Sequence, residues 1–295
     1  MALRDLIFII TINMIWGMNF VALVWALDDF TPLLANSLRF AIVAILLSPF
    51  LRGYKDKLRQ VIQIGLLLGV LHFGLVIIGM SMADGISSIA IVAQLTVPFS
   101  TILAVVLLKE TVGWKRILGI ALSFSGIMVV GFDPSIFAQI PALLVILLAT
   151  FISALALVNM RQIKDVPAMT VQAWVGLMAV IGSIILSFIF EEGQMANLQA
   201  ASLAGWSSVL YAGVFATVIG HVGVNYLLRK YEVSVVAPYM LLMPIFGILS
   251  GVVMLGEVLT TREIIGGLIT LLGVVIITMR NNVKLKVPLL PVEEV

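Results

Sequence analysis

Cysteine is absent from the 295 residues, and charge is scarce: Asp, Glu, Lys and Arg together make up 11 % of the chain. The missing cysteine excludes disulfides, Cys-ligated zinc, iron–sulfur clusters and thiol catalysis. The scarcity of charge excludes an ordinary soluble domain, in which about 25 % of residues are charged and about 45–50 % apolar. Here 62 % are hydrophobic. A particle of 31.9 kDa cannot cover that much apolar surface with so few charges. The same composition excludes a disordered chain. A net charge of +2 without a dense basic stretch argues against nucleic acid as a partner. The chain also lacks G-x-x-x-x-G-K-[ST], H-E-x-x-H and G-x-S-x-G. It therefore carries no signature of a P-loop ATPase, a zinc protease or a serine hydrolase. No metal and no cofactor is expected.

What remains is apolar sequence in long runs. A bilayer core takes about 20 apolar residues per helix. Ten runs of that length follow one another from 6–27 to 264–279. Short polar punctuation separates them, such as Asp28-Asp29, Ala83-Asp84-Gly85 and Asp133-Pro134. Strands of a β-barrel would be about half as long and would alternate polar with apolar. The expected fold is an all-α polytopic membrane protein with ten transmembrane helices in the lipid bilayer. With the N-terminus inside, fifteen of the 17 Lys and Arg residues fall on the cytoplasmic side. Arg262 alone falls outside, and Arg39 lies within a span. Acidic residues show no such bias, as the positive-inside rule requires. Nine or eleven spans would scramble this pattern. Both termini are thus expected in the cytoplasm, with 281–295 a solvated tail. The first run has a basic flank, Arg4, but is too long for a signal peptide and no small-x-small site follows it. It is expected to be retained.

The sequence partly matches itself at a shift of 147. Glu110 falls on Glu257, Gly119 on Gly266 and Gly126 on Gly273, and Pro98 meets Pro244 after a one-residue insertion. The shift is half the chain length, so each half holds five spans. Because five is odd, the second half enters the membrane from the opposite side. Two inverted repeats are expected, 1–134 and 135–280, a frequent device of secondary transporters.

Several of these stretches together resemble the EamA-type drug/metabolite transporter superfamily. They are Trp16-Gly17-Met18-Asn19-Phe20, Leu38-Arg39-Phe40, Ala93-Gln94-Leu95 leading to Pro98-Phe99, and Lys109-Glu110. In the second half they are Val236-Ala237-Pro238-Tyr239, Leu255-Gly256-Glu257 and Gly266-Gly267-Leu268. Within the superfamily the chain is most similar to the amino-acid-metabolite exporters of the O-acetylserine/cysteine type. The resemblance implies two five-helix EamA repeats around a central cavity, and export of small molecules from the cytoplasm.

Polar groups within a span are costly and usually face a bundle interior or a water-filled path. Arg39 is the one basic residue within a span. It reads either as a site for a substrate carboxylate or as a structural anchor. His72 and His221 are the only histidines. They lie 149 apart, in repeat-related spans, and are expected at similar depth. Histidine can relay protons or bind a substrate, so protons are a candidate partner. Trp16 and Asn19 share a helical face. Gln94 precedes Pro98, and Tyr239 adjoins Pro238, where proline frees a carbonyl and bends a helix. Asn225 lies one turn beyond His221. These eight residues are the expected substrate-binding set. No span holds a mid-membrane Asp or Glu, which disfavours a carboxylate proton relay or sodium site.

The expected function is a secondary transporter of the bacterial inner membrane. It would export amino acids or their derivatives by alternating access, without ATP hydrolysis. A broad-substrate multidrug exporter and an intramembrane enzyme are the rival readings. Oligomeric state is not legible, since small-residue faces serve within and between protomers alike.

Overall fold

The computed structural model describes residues 1–51, 56–163, 165–231 and 233–279. The expected tail, 281–295, lies outside the described residues. Ten helices are long and apolar enough to cross a membrane, and no strand occurs among the described residues. They are α1 (Leu3–Leu27), α2 (Pro32–Phe50), α3 (Leu58–Ser81), α4 (Ser87–Leu108) and α5 (Trp114–Gly131). The second half supplies α6 (Ile136–Met160), α7 (Ala168–Phe190), α8 (Leu203–Lys230), α9 (Val233–Met240 and Leu242–Leu255) and α10 (Thr261–Thr278). Each coincides with one of the ten apolar runs to within a few residues.

Four of these helices are irregular in mid-span. The backbone of α3 widens into π-helix at Leu66–His72, and that of α8 at Ala212–Ile219. α4 breaks at Gln94 and Leu95, three residues before Pro98. α9 breaks at Leu241, three residues before Pro244. The chemistry is the same in both. A proline has no N–H to offer the carbonyl four residues back, so the ladder lapses there. The bend expected at Pro238 lies instead at Leu241. Pro238 sits inside the helical segment Val233–Met240, two residues before its end, and the segment runs on through it.

The two halves meet in reciprocal contacts. α5 packs along α10, and α2 along α7. α1 lies on the second part of α9 as α6 lies on the second part of α4. In the α5–α10 pair, a methyl group at Gly126 would sit 2.5 Å from the Gly266 carbonyl oxygen, and one at Gly266 would sit 2.5 Å from that of Gly126. Gly119 and Gly273 approach each other in the same way. Between them Ser123 Oγ donates to the Thr270 carbonyl (3.5 Å) and Thr270 Oγ1 to the Ser123 carbonyl (3.4 Å). These contacts run both ways, from α5 to α10 and from α10 to α5. Bare backbone at four positions lets the helices approach this closely. In the α2–α7 pair Asn36 Nδ2 donates to Ser183 Oγ at 2.8 Å.

Carboxylates hold helix starts belonging to other elements. Glu191, at the end of α7, accepts from Thr31 Oγ1 (2.7 Å), Leu33 N–H (2.7 Å), Leu34 N–H (3.2 Å) and Ser187 Oγ (2.6 Å). It thereby satisfies the unpaired donors at the start of α2. Glu191→Gln turns this acceptor-only group into one that carries two donors. The expected result is a loss of about 1–3 kcal/mol, read as a lower unfolding temperature in detergent. An unchanged temperature would contradict the capping role. On the face that carries the termini, buried Asp5 accepts from Lys230 Nζ (2.7 Å) and Tyr231 Oη (2.7 Å), tying α1 to the end of α8.

Candidate functional site

The site grows around one guanidinium. Arg39 lies half-way along α2 and is 6 % exposed. Its Nε (3.3 Å) and Nη2 (3.1 Å) both donate to Thr217 Oγ1 on the π-helical turn of α8. Thr217 in turn donates to the Ala212 carbonyl at 2.8 Å, which points its oxygen lone pairs at Arg39. The rings of Phe40 and Phe73 lie against the guanidinium carbon, 4.8 and 4.9 Å from it. A guanidinium carries five N–H donors, and these two bonds leave most of them unused. Among the described residues the ion pairs are Arg4–Asp5, Lys230–Asp5 and Arg161–Glu110, and no carboxylate pairs with Arg39. A charge in this position costs about 2.5–3.5 kcal/mol on insertion scales. The two aromatic faces offset part of that; an anion would offset more.

Trp16 and the two histidines surround it. Trp16 Nε1 donates to the Ala216 carbonyl at 2.7 Å, one residue from Thr217. A π-helical turn carries an extra residue, which re-aims its backbone carbonyls, and such turns are frequent at functional sites. The Trp16 ring lies 5.6 Å from that of His221. On the other side, the His72 ring lies 4.7 Å from Phe73, and Phe73 also carries Arg39. His72 Nδ1 is 2.9 Å from the Ala149 carbonyl of α6. That acceptor places a proton on Nδ1, so Nε2 is the nitrogen left to face a ligand. Thus α1, α2, α3 and α8 bring Trp16, Arg39, His72 and His221 into one cluster around Thr217 and Phe73.

The remaining expected residues stand further out. Asn19 lies one turn from Trp16 on α1, with its side-chain oxygen buried and unpartnered. Tyr239 packs with Trp16 in an apolar cluster with Ile9, Ile12 and Leu227. Gln94 lies half-buried at the break of α4. Asn225 is half-buried on α8, and no contact ties it to the cluster. Two cavities flank the cluster without including it. One, about 720 Å³, lies between the starts of α1 and the second half of α8, lined by Arg4, Phe8, Thr11, Val222 and Tyr226. The other, about 210 Å³, lies among α1, α8 and α9, beside Met18, Trp25, Tyr211 and Met254. Neither is the expected central cavity.

Thr217 and Phe73 escape the sequence reading. Thr217 stands four residues before His221, one turn away, and that spacing is the signal that would have found it. Phe73 follows His72 directly, but an aromatic residue in an apolar span is unremarked among fifteen phenylalanines.

The sequence profile of the EamA-like transporter family matches residues 3–132 and again 140–279. An uncharacterized transporter of Archaeoglobus fulgidus is 28 % identical over 276 residues, covering 90 % of this chain and 95 % of its own. A protein of Escherichia coli named probable amino-acid metabolite efflux pump is 28 % identical over 287 residues, covering 94 % and 95 %. Its Salmonella typhimurium counterpart, with the same name, matches equally. One crystal structure superposes with a TM-score of 0.64 at 18 % identity, covering 94 % of this chain and 96 % of its own; at that identity the likeness is one of fold.

Proposed function

We propose that this chain, which belongs to the EamA-like transporter family, exports small carboxylate-bearing metabolites, amino acids or their derivatives, by alternating access. It is an integral membrane transporter and not an enzyme. The observation that carries the substrate reading is Arg39: a buried guanidinium with spare donors, no carboxylate partner among the described residues, and two aromatic walls. A substrate carboxylate supplies the missing counter-charge, and a bidentate pair fixes its orientation. Trp16 and Asn19 then bound the rest of the molecule, and His72 and His221 offer ring nitrogens to its polar groups. The efflux-pump names of the two enterobacterial relatives support the same substrate class.

The two halves, 1–134 and 135–280, are read as inverted repeats that rock about this site. The reciprocal contacts of α5 with α10 and the matched irregularities of α3 with α8 and of α4 with α9 support that reading. Basic residues set the orientation, with both termini in the cytoplasm of a bacterial inner membrane. Without a mid-span carboxylate, uniport or exchange is favoured over proton antiport.

Reconstituted in liposomes, the protein is expected to move a labelled amino acid with saturable kinetics. The amine formed by removing its carboxyl group should compete at least tenfold less well. Equal competition by acid and amine would overturn the carboxylate reading. Flux that rises steeply with an imposed pH gradient would overturn uniport.

A further inference from the structure

The two broken helices begin on opposite faces of the membrane, and among the described residues one of the two starts is held by a carboxylate of its repeat-related loop. Glu257, in the loop between α9 and α10, accepts from the N–H groups of Ile86 (2.5 Å) and Ser87 (3.1 Å) and from Ser87 Oγ. This seats it on the start of α4, on the face away from the termini. Directly beneath, Ala90 of α4 is fully buried, and a methyl group at Gly247 of α9 would lie 3.5 Å from its Cβ. Glu257 therefore closes that face between α4 and α9.

Glu110 occupies the matching place on the termini face. It lies 147 residues earlier. Lys109 before it has φ +56°, as Gly256 before Glu257 has φ +70°. Its N–H reaches back six residues to Ala104 at 3.3 Å, as that of Glu257 reaches Gly251 at 3.2 Å. The backbone thus presents both carboxylates identically. Yet Glu110 is nearly half exposed and pairs with Arg161 at 3.3 Å.

We infer that Glu257 and Glu110 are alternating latches, each seating on the start of a broken helix to close its own face, and that this structure holds the Glu257 latch closed and the Glu110 latch released to Arg161. The inference rests on the alternating-access reading above. Opening the far face requires α4 and α9 to part there, so Glu257 must leave Ile86 and Ser87. Closing the termini face then seats Glu110 at the start of Val233–Met240. Each state keeps one carboxylate seated and one solvated, which keeps the two states close in free energy, as alternation needs.

The lack of native cysteine makes the test direct. In an Ala90→Cys background the thiol lies buried behind the Glu257 latch. Purified protein is treated with a hydrophilic maleimide, and the labelling rate is followed. Glu257→Gln should raise that rate at least tenfold. Glu263→Gln, whose carboxylate caps only its own helix through Thr260, should not raise it, and neither should Glu110→Gln. A rate unchanged by Glu257→Gln, or raised as much by either control, overturns the latch. Should Glu257→Gln fail to fold, Ser87→Ala removes one of the three bonds and should raise the rate severalfold; no rise overturns the inference. No substrate enters this assay, so its outcome is separate from that of the liposome flux.

Discussion

Arg39→Gln is expected to lower the flux of carboxylate-bearing substrates roughly 100-fold or more, a change of about 2.7 kcal/mol, while the unfolding temperature of the purified protein stays level or rises. The two readouts move in opposite directions for a physical reason. Arg39 is a buried charge with only a hydroxyl and two aromatic faces for company. Replacing an uncompensated buried charge with a neutral group of similar length relieves a desolvation penalty. The folded protein loses bonds to one hydroxyl, Thr217 Oγ1, and glutamine can still donate to it. The substrate complex loses a charge-assisted, two-pronged pair, and bonds of that kind are worth about 1.5–3 kcal/mol each. Arg39→Lys keeps the charge but offers a point donor in place of a planar fork. Its flux should lie between the two, with most of the change in KM. The structural-anchor reading makes the reverse forecast. If Arg39→Gln unfolds at a clearly lower temperature and its folded fraction transports normally, Arg39 is an anchor and the substrate site lies elsewhere.

Gly126→Leu should remove most folded protein, a destabilisation of about 3 kcal/mol or more, at the upper end of overpacking penalties. A methyl group there meets the Gly266 carbonyl oxygen at 2.5 Å and the Thr270 nitrogen at 2.6 Å. Both are backbone atoms of α10, which cannot rotate aside as a side chain would. The α5–α10 pair would have to separate, breaking the Ser123–Thr270 bonds with it. The reciprocal geometry makes a sharper forecast. Gly273→Leu should be damaging to the same degree, because Gly273 meets the Gly119 carbonyl oxygen at 2.5 Å and the Ser123 nitrogen at 2.5 Å. Gly131→Ala, with nothing within 4 Å of the added methyl, should be silent. Yield of monodisperse protein and unfolding temperature in detergent measure all three. A tolerated Gly126→Leu, or a large difference between the Gly126 and Gly273 variants, would contradict the close reciprocal packing of α5 against α10.

Parts of the site were legible along the chain and parts were not. Arg39, His72 and His221 stand out because a titratable group inside an apolar run is conspicuous whatever it touches. Trp16 and Asn19 are legible as a pair through helical spacing. Their company is not: Thr217 reaches Arg39 across 178 residues, and Trp16 reaches Ala216 across 200. Pro98 announced that α4 is irregular. Pro238 announced the same of α9, yet α9 runs through it and breaks at Leu241. A lost hydrogen bond interrupts a helix only when the neighbouring packing also permits it, and spacing alone does not report that. The π-helical turns of α3 and α8 left no trace in composition, since Leu66–His72 and Ala212–Ile219 are ordinary apolar sequence apart from His72 and Thr217.

The sequence by itself determined the number of spans and the match between halves. Span number follows from hydropathy summed over about 20 neighbouring residues, and the match from Glu110, Gly119 and Gly126 recurring at a constant shift. Both are local or one-dimensional properties of the chain. Only the tertiary structure decided that Arg39 lacks a carboxylate among the described residues, that Glu257 is seated while Glu110 is not, and that α9 bends before Pro244 rather than at Pro238. Each depends on which distant groups share a few ångströms of space. In a bundle whose surfaces are nearly all apolar, that choice rests on a few glycines and hydrogen bonds between residues far apart in sequence.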